Sequence, residues 1–399
     1  MGMVSRHRSA CIIVTTACFL MATFAWGAVF YGHSVYIDEL TRDKGWSTAL
    51  VSTAILVFWI ASLPGTIGVG LLIDHRGPVP VVTIGALCIG LGLIALGQVT
   101  QAWQMFAVYA VLGFGYPALA AAAISPTLAP WFDRGFGVAL GVALTGASFG
   151  GALVPLILVY SSARNGFEAT MLVAGATVLA MLALVVVVLA RLGRPEPIST
   201  ASPAAPAMPA KIMLRDPLFW RIAVAAALGL GGQVGFLAHQ IPIVSVLAKP
   251  GAAAATVTVV ALASAVGRLV VAQASRAVPA THLAAGSYAL FGVGMAVLAL
   301  ADSFLVIQVG CAIAGLVVGP IVLLPPILVR QAFGTAGFGR TYAMINVVMY
   351  VLAALAPWMV GMLRDLSGDY IGGLWILLLL ETAAIALIVK PIPNRLINT

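Results

Sequence analysis

The chain has 399 residues, of which 62% are hydrophobic and only 8% are charged, and its mean hydropathy is +1.11. A soluble domain carries roughly a quarter of its residues as charged side chains, so this composition excludes a soluble protein and predicts a polytopic membrane protein. The net charge of +8 is spread along the chain without a basic domain, so we expect no nucleic-acid partner.

Twelve apolar segments follow one another along the chain, and each has the length needed to cross about 30 Å of hydrocarbon. We number them spans 1 to 12, with predicted limits 11–36, 48–73, 81–98, 103–124, 136–160, 168–190, 218–247, 254–274, 282–300, 304–329, 338–363 and 371–390. Gly and Pro within them are tolerated where neighbouring helices satisfy the freed backbone groups. Six spans lie in each half of the chain.

The two halves repeat each other at a shift of 202 positions. The matching pairs are Ala61-Ser62 with Ala263-Ser264, Gly65 with Gly267, Phe136-Gly137 with Phe338-Gly339, Pro155 with Pro357, and Gly166 with Gly368. Many secondary transporters build their substrate path between two such repeats. The predicted fold is therefore all-α, with twelve transmembrane helices in two pseudo-symmetric six-helix bundles at 1–191 and 217–399. A Pro- and Ala-rich cytoplasmic linker at 192–216 joins them.

The positions of Lys and Arg predict the orientation in the membrane. With the N-terminus in the cytoplasm, fourteen of these residues fall in inside segments and five in outside loops. This asymmetry follows the positive-inside rule. We therefore expect a multi-pass protein of the bacterial inner (plasma) membrane with both termini in the cytoplasm.

The loop between spans 2 and 3 reads GLLIDHRGP from Gly70 to Pro78. It resembles the signature cytoplasmic loop of the major facilitator superfamily, G-x3-D-x-R-G, and the resemblance implies the major facilitator fold. It also implies a conformational latch in which Gly70 permits close helix approach, Asp74 accepts from helix N-terminal amides and Arg76 pairs with carboxylates. The alternative is an ordinary charged turn.

Five short runs resemble the monocarboxylate-porter branch of that superfamily and its bacterial relatives. They are Gly45-Trp46-Ser47 after span 1, Trp131-Phe132 with Arg134-Gly135 before span 5, His239 to Pro242 in span 7, Gly267-Arg268 in span 8, and Asp365 to Tyr370 after span 11. The resemblance implies a secondary active transporter that moves a small, monocarboxylate-like organic anion by alternating access, coupled to protons in a symport.

Arg268 is the only Lys or Arg that falls well within a predicted span. A cation at mid-depth costs about 2.5–3.5 kcal/mol on insertion scales, and such a cost suggests a use. The resemblance implies that Arg268 pairs with the substrate carboxylate, which a planar guanidinium can grip with two hydrogen bonds. The alternative is an arginine that snorkels to the cytoplasmic face. Ser264 stands one turn earlier, where branch members often carry an acidic residue, and is also a substrate-binding candidate.

Three titratable groups are candidates for proton coupling. His33, near the outer end of span 1, is placed to take a proton from outside, or is an interfacial histidine hydrogen-bonded to backbone. His239 lies beside an expected helix break at Pro242, and it is either a proton carrier or a packed structural histidine. Glu381 lies in the middle of span 12. Because span 12 usually lies outside the path in this superfamily, we favour a structural role for Glu381.

Five further residues, in spans 4, 7 and 11, complete the set of substrate-binding candidates. Tyr342, Asn346 and Tyr350 recur at four-residue spacing in span 11, share one face and are expected to face the cavity. Tyrosines near span ends also serve as interface anchors, which is the alternative. The others are Tyr116 beside Pro117 in span 4 and Gln233 next to Gly231-Gly232 in span 7.

No nucleophile triad, metal-ligand cluster or phosphate loop stands in a polar segment of the sequence, so we expect no enzyme activity, no metal and no cofactor. Two other functions stay open. The spacing Gly137-x8-Gly146-x3-Gly150 in span 5 partly matches a motif of drug/proton antiporters in the same superfamily, which favours an efflux antiporter for drugs or other amphipathic compounds. A non-transporting membrane receptor or scaffold is the alternative of another class. The expected partners are a small organic anion, a proton and the lipid bilayer, with the chain as a monomer.

Overall fold

The computed structural model describes residues 2–132, 136–193, 213–246, 250–275, 277–333 and 338–390. Within these ranges the regular structure is helical, and twelve segments are long and apolar enough to cross a membrane. The predicted all-α fold with twelve transmembrane helices is thereby confirmed. Most of the predicted linker, from 194 to 212, lies outside the described residues.

Fifteen α-helices build the twelve spans in the described part of the chain. Spans 1 to 6 consist of α1 (Gly2–Phe24), α2 (Gly32–Lys44), α3 (Thr48–Arg76), α4 (Pro78–Gly97), α5 (Ala102–Gly115), α6 (Ala121–Leu128), α7 (Phe136–Asn165) and α8 (Phe167–Leu192). Spans 7 to 12 consist of α9 (Pro217–Ser245), α10 (Pro250–Ala274), α11 (Ala280–Ala299), α12 (Phe304–Phe333), α13 (Phe338–Ala353), α14 (Leu355–Ser367) and α15 (Ile371–Ile388).

Three spans are each made of two helices. A π-helical segment, Ala25–Phe30, joins α1 to α2 in span 1, and a short 3-10 turn, Tyr116–Ala118, lies between α5 and α6 in span 4. In span 11, α13 is followed directly by α14. Interrupted spans are the positions at which transporters commonly bind their cargo, because the interruption exposes backbone polar groups.

Span 1 extends further than its hydropathy predicts, through α2 to Lys44. Arg42 pairs with Asp38 and Glu39 one turn earlier, and such pairs at spacings of three and four stabilise a helix that carries charges. The helix ends at Gly45, whose φ of 64° lies in the left-handed region that glycine adopts without strain.

The chain divides into two compact units. Unit 1 comprises Met1–Trp46 and Ala54–Thr200, and unit 2 comprises Ser47–Thr53 and Ala201–Thr399. The first turns of span 2 therefore group with unit 2, whereas the rest of that span groups with unit 1.

Glycines set the closest helix contacts inside each unit. In unit 1, a Cβ at Gly146 or Gly150 of span 5 would overlap the carbonyl oxygen of Phe19 or Thr23 in span 1. In unit 2, a Cβ at Gly267 of span 8 would overlap the backbone of span 10. Gly146 and Gly150 therefore serve close packing within unit 1, which gives their four-residue spacing a structural explanation.

Candidate transport site

Arg268 is half-buried in span 8 and lies against the backbone of span 10 at Gly319. A Cβ added at Gly319 would come 2.9 Å from the Arg268 Cβ and 3.2 Å from its Nε. Its neighbours Leu269 and Val270 are 72% and 60% exposed, so the arginine is the more enclosed part of this turn. Gly319 thus leaves the space along which the Arg268 side chain lies.

Ser264 precedes Arg268 by one helical turn and is 1% exposed. Its carbonyl oxygen also faces Gly319, at 2.6 Å from the position of an added Cβ. Its hydroxyl has no hydrogen-bond partner among the described residues. A buried hydroxyl without a partner costs free energy that a polar ligand would recover.

The three polar side chains of span 11 lie together in unit 2. The hydroxyl of Tyr342 and the side chain of Asn346 are hydrogen-bonded, and Tyr350 lies close enough to Tyr342 to interact electrostatically. All three are half-buried. Their helix, α13, packs on span 7. Their role as substrate ligands stays a prediction.

Span 7 is one continuous helix in the structure. The helix runs unbroken through Gly231-Gly232 and Pro242, so the expected break at Pro242 is absent. Gln233 is buried in it, and its Oε1 has no partner in the described part of the chain. Proline is tolerated here because neighbouring helices enclose nearly the whole span.

His239 is fully buried in unit 2 and its ring is held by polar contacts. Its Nε2 lies 2.9 Å from the carbonyl oxygen of Pro357 and 3.2 Å from the Ser52 hydroxyl. Because a carbonyl only accepts, Nε2 carries the proton in that contact. Its Nδ1 has no partner among the residues described.

Glu381 is buried in span 12 against the backbone of span 7. A Cβ at Gly232 would overlap its carboxyl oxygen Oε1, so the glycine makes room for the carboxyl group. Neither carboxyl oxygen has a hydrogen-bond partner within the described residues. Tyr288 of span 9 interacts with Glu381 electrostatically.

His33 is buried among aromatic side chains of unit 1. It is 2% exposed, its ring centroid is 4.8 Å from that of Phe58, and it stacks on Tyr109 at 5.6 Å and 18°. Neither ring nitrogen has a hydrogen-bond partner in the described chain, and neither does the Tyr109 hydroxyl. The alternative of an interfacial histidine bonded to backbone is therefore wrong.

Tyr116 belongs to an aromatic cluster in unit 1. Its ring centroid lies 5.8 Å from that of Trp26, 5.4 Å from Phe58 and 6.2 Å from Trp59. Trp26 stands in the π-helical segment of span 1, and π-bulges frequently occur at functional sites. We call these four residues the aromatic cluster.

The expected latch after span 2 is only partly described. Gly70 is exposed, and a Cβ there would meet no atom within 4 Å, so the close approach expected at this glycine is absent from the described structure. Arg76 is exposed at the end of α3. The Asp74 side chain lies outside the described part of the chain, and its role stays a prediction.

Sequence reasoning missed several residues that contact these candidates. Gly319 could have been recognised from the sequence as a helix-packing position, because it follows Gly315 at the four-residue spacing typical of close helix packing. Tyr36, whose hydroxyl donates to the carbonyl of Ala28 in the π-helical segment, and Ser52, which contacts His239, gave no signal in the sequence.

A family model described as the Major Facilitator Superfamily matches residues 15–357. The chain belongs to this superfamily. The predicted membership of the superfamily is confirmed, whereas the monocarboxylate branch stays a prediction.

Three curated relatives are similar over part of their length. MFS-type transporter 1 of Ophiocordyceps sp. is 26% identical over 173 residues, which is 41% of this chain and 36% of the relative. The Fujikurins efflux protein of Gibberella fujikuroi is 28% identical over 153 residues, with 37% and 32% covered. The uncharacterised transporter YcxA of Bacillus subtilis is 26% identical over 135 residues, with 34% and 33% covered. The matches span about a third of each relative.

Two solved structures show the same fold. The nucleoside transporter NupG superposes with a TM-score of 0.77 at 12% identity, covering 95% of this chain and 99% of that one. A bacterial homologue of the human lysosomal transporter Spinster gives a TM-score of 0.67 at 13% identity, with 96% and 95% covered. At such low identity the likeness concerns the fold alone.

Proposed function

We propose that this major facilitator is a secondary active transporter that carries a small, monocarboxylate-like organic anion together with a proton by alternating access. The observation that carries the proposal is the position of Arg268. It is the one cation well within a predicted span, and it lies half-buried on Gly319 between spans 8 and 10.

The chemistry around Arg268 suits a carboxylate. A guanidinium offers paired donors to the two carboxylate oxygens, and the pair is stronger where water is scarce. The hydroxyl of Ser264, which has no partner among the described residues, adds a third donor one turn away. An apolar substrate would offer no acceptor to either group.

Of the three candidates for the proton, we assign His33. Both of its ring nitrogens are without hydrogen-bond partners in the described chain, and its ring stacks on Tyr109, whose aromatic face attracts a cation. His239 instead uses Nε2 to hold Pro357 and Ser52.

Efflux of amphipathic compounds is the second candidate function. The aromatic cluster in unit 1 presents ring faces suited to planar or apolar groups. One relative is named as the Fujikurins efflux protein. In this function Arg268 would contribute little to substrate affinity.

Counterflow in proteoliposomes tests the proposal with a panel of labelled monocarboxylates, dicarboxylates and neutral aromatic compounds. We expect carboxylates to exchange, Arg268→Lys to weaken exchange and Arg268→Gln to abolish it, because lysine keeps the charge but loses the planar fork. Loss of the pair corresponds to about a hundredfold or more in affinity.

Arg164→Gln is the matched control, because it removes an exposed arginine at the end of α7. Its exchange rate should equal that of the parent. A monodisperse Arg268→Gln protein that binds a carboxylate as tightly as the parent would overturn the organic-anion proposal. Exchange of neutral aromatic compounds alone would favour efflux.

A further inference from the structure

Spans 1 and 6 enclose an apolar groove on the surface of unit 1. The groove has a volume of about 230 Å³. Ala17 and Val185 form its floor and are 4% and 2% exposed, whereas Ile12 and Leu184 form its rim and are 60% and 54% exposed. The only polar side chain in this lining is that of Thr16, whose hydroxyl donates to the carbonyl of Ile12 at 3.0 Å. The groove therefore offers an apolar ligand no competing polar group.

Positive charge follows the groove at one end. Val188, which lines it, is followed three positions later by Arg191, and residues at this spacing share a face of a helix. Arg191 is exposed in the last turn of α8 and makes no ion pair with a described residue. Arg8 precedes Ile12 by four positions in α1. Because spans 1 and 6 cross the membrane in opposite directions, the start of α1 and the end of α8 lie at the same end.

The surroundings of the groove indicate what fills it. The exposed rim faces lipid, since both helices are membrane spans. An acyl chain gains nothing from apolarity alone on entering the groove, because lipid tails are as apolar as the side chains that line it. Selection among lipids therefore depends on the headgroup. An arginine near the membrane surface favours an anionic lipid by about fivefold in affinity.

We propose that this groove is a binding site for one anionic phospholipid of the surrounding bilayer, with an acyl chain along spans 1 and 6 and the phosphate at Arg191. The C-terminus of α8 carries partial negative charge and on its own disfavours an anion. Arg191 reverses this effect and is the residue on which the preference for an anionic headgroup depends. The site is separate from Arg268 and does not depend on the transported substrate.

Native mass spectrometry of the purified full chain tests the proposal. The dissociation constant of the first lipid adduct is measured for anionic phosphatidylglycerol and for zwitterionic phosphatidylcholine, both with oleoyl chains. The parent should bind phosphatidylglycerol more tightly, and Arg191→Gln should weaken that binding about fivefold while leaving phosphatidylcholine unchanged. Arg191→Lys should keep most of the preference, because lysine also binds phosphate as a point charge.

Arg164→Gln is the matched control, because Arg164 is also an exposed arginine in the last turn of its helix, α7. This variant should keep the lipid preference of the parent. Equal losses in Arg164→Gln and Arg191→Gln would show a response to surface charge in general and would overturn the site. Equal affinities of the parent for the two lipids would overturn it as well, and so would a dimer that binds no lipid, in which a second copy of the chain covers the groove.

Quenching by brominated acyl chains locates the bound lipid, and it decides the matter even if Arg191→Gln does not fold. With the four native cysteines replaced by alanine, a fluorescent label is attached at Leu184→Cys in the groove or at Ala183→Cys, an exposed neighbour outside the lining. Brominated phosphatidylglycerol should quench the label at position 184 more strongly than brominated phosphatidylcholine, whereas both should quench the label at position 183 equally. Equal quenching by the two lipids at position 184 would contradict the proposal. These measurements need no substrate, so they stand even if the organic-anion proposal fails.

Discussion

Replacement of Gly319 by alanine tests the position of Arg268 most directly. The new Cβ would lie 2.6 Å from the Ser264 carbonyl oxygen, where ordinary contact begins at 3.4 Å, so spans 8 and 10 have to separate by about 0.8 Å. Overpacking of this kind costs about 1–3 kcal/mol. Because the obstructing atom is a backbone oxygen that cannot rotate away, we expect about 2–3 kcal/mol within this range. The better helix propensity of alanine returns up to about 1 kcal/mol, which leaves a net loss of roughly 1–3 kcal/mol.

The assay is the apparent melting temperature at a fixed scan rate, because unfolding of large proteins is commonly irreversible. For a unit of about 200 residues, 1 kcal/mol corresponds to about 2–4 °C, so Gly319→Ala should melt ~2–12 °C lower. Gly286→Ala in span 9 is the matched control, since a Cβ there meets no atom within 4 Å. Its melting temperature should equal or slightly exceed that of the parent.

A double variant separates the contribution of the backbone from that of the side chain. Combining Gly319→Ala with Arg268→Ala should not restore stability, because the Ser264 carbonyl and the remaining Cβ at position 268 still oppose the new methyl group. Carboxylate exchange should fall with Gly319→Ala because the arginine is displaced. A Gly319→Ala protein with the melting temperature and exchange rate of the parent would refute the described packing.

Three further predictions concern the proton and the buried hydroxyls. Tyr36→Phe should lower the melting temperature by the equivalent of about 1–3 kcal/mol, because the carbonyl of Ala28 loses its hydrogen-bond donor. Tyr109→Phe should leave the melting temperature unchanged, because the Tyr109 hydroxyl has no partner among the described residues. Glu381→Gln should fold and transport like the parent, because the carboxyl group makes no hydrogen bond in the described chain. If this variant lost pH-driven uptake, Glu381 would be the proton carrier instead of His33. Uptake into vesicles should follow a pH gradient and hardly respond to membrane potential, whereas net charge movement would feel about 2.3 kcal/mol per 100 mV.

The spans were predictable because lipid imposes a single strong constraint on composition. Hydropathy predicted all twelve, including those that contain Pro64 or Pro155. Hydropathy did not predict the π-helical segment Ala25–Phe30 or the extension of α2 to Lys44. The first depends on the Tyr36 hydroxyl and the second on the Arg42 ion pairs. The mean hydropathy of a segment contains no information on such specific partners.

Candidate residues were predictable by their rarity, but their partners were not. Arg268 and Glu381 stand out because charges are costly in spans. The glycines that make room for them, Gly319 and Gly232, lie far away in sequence and look like many other glycines in the chain. Periodicity tells which residues share a face of one helix, and it carries no information on which helix faces them.

Three of the five runs that resemble the monocarboxylate-porter branch contribute contacts to the first turns of α3 in span 2. In Gly45-Trp46-Ser47, the glycine ends span 1 and the serine hydroxyl accepts from the Leu50 amide at the start of α3. The run beginning at Asp365 supplies the cap of that helix. The run beginning at His239 supplies the ring that contacts Ser52, and this ring lies 5.6 Å from that of Tyr370.

These three runs have a common structural role, because their side chains contact the start of span 2. None of these contacts involves the cargo. A resemblance carried by them therefore has a structural basis in the capping of α3, which transporters with different substrates can share. Among the five runs, only Gly267-Arg268 bears on the substrate through its chemistry. The choice between an organic anion and an amphipathic compound accordingly depends on Arg268→Gln, because the other runs concern helix capping and packing.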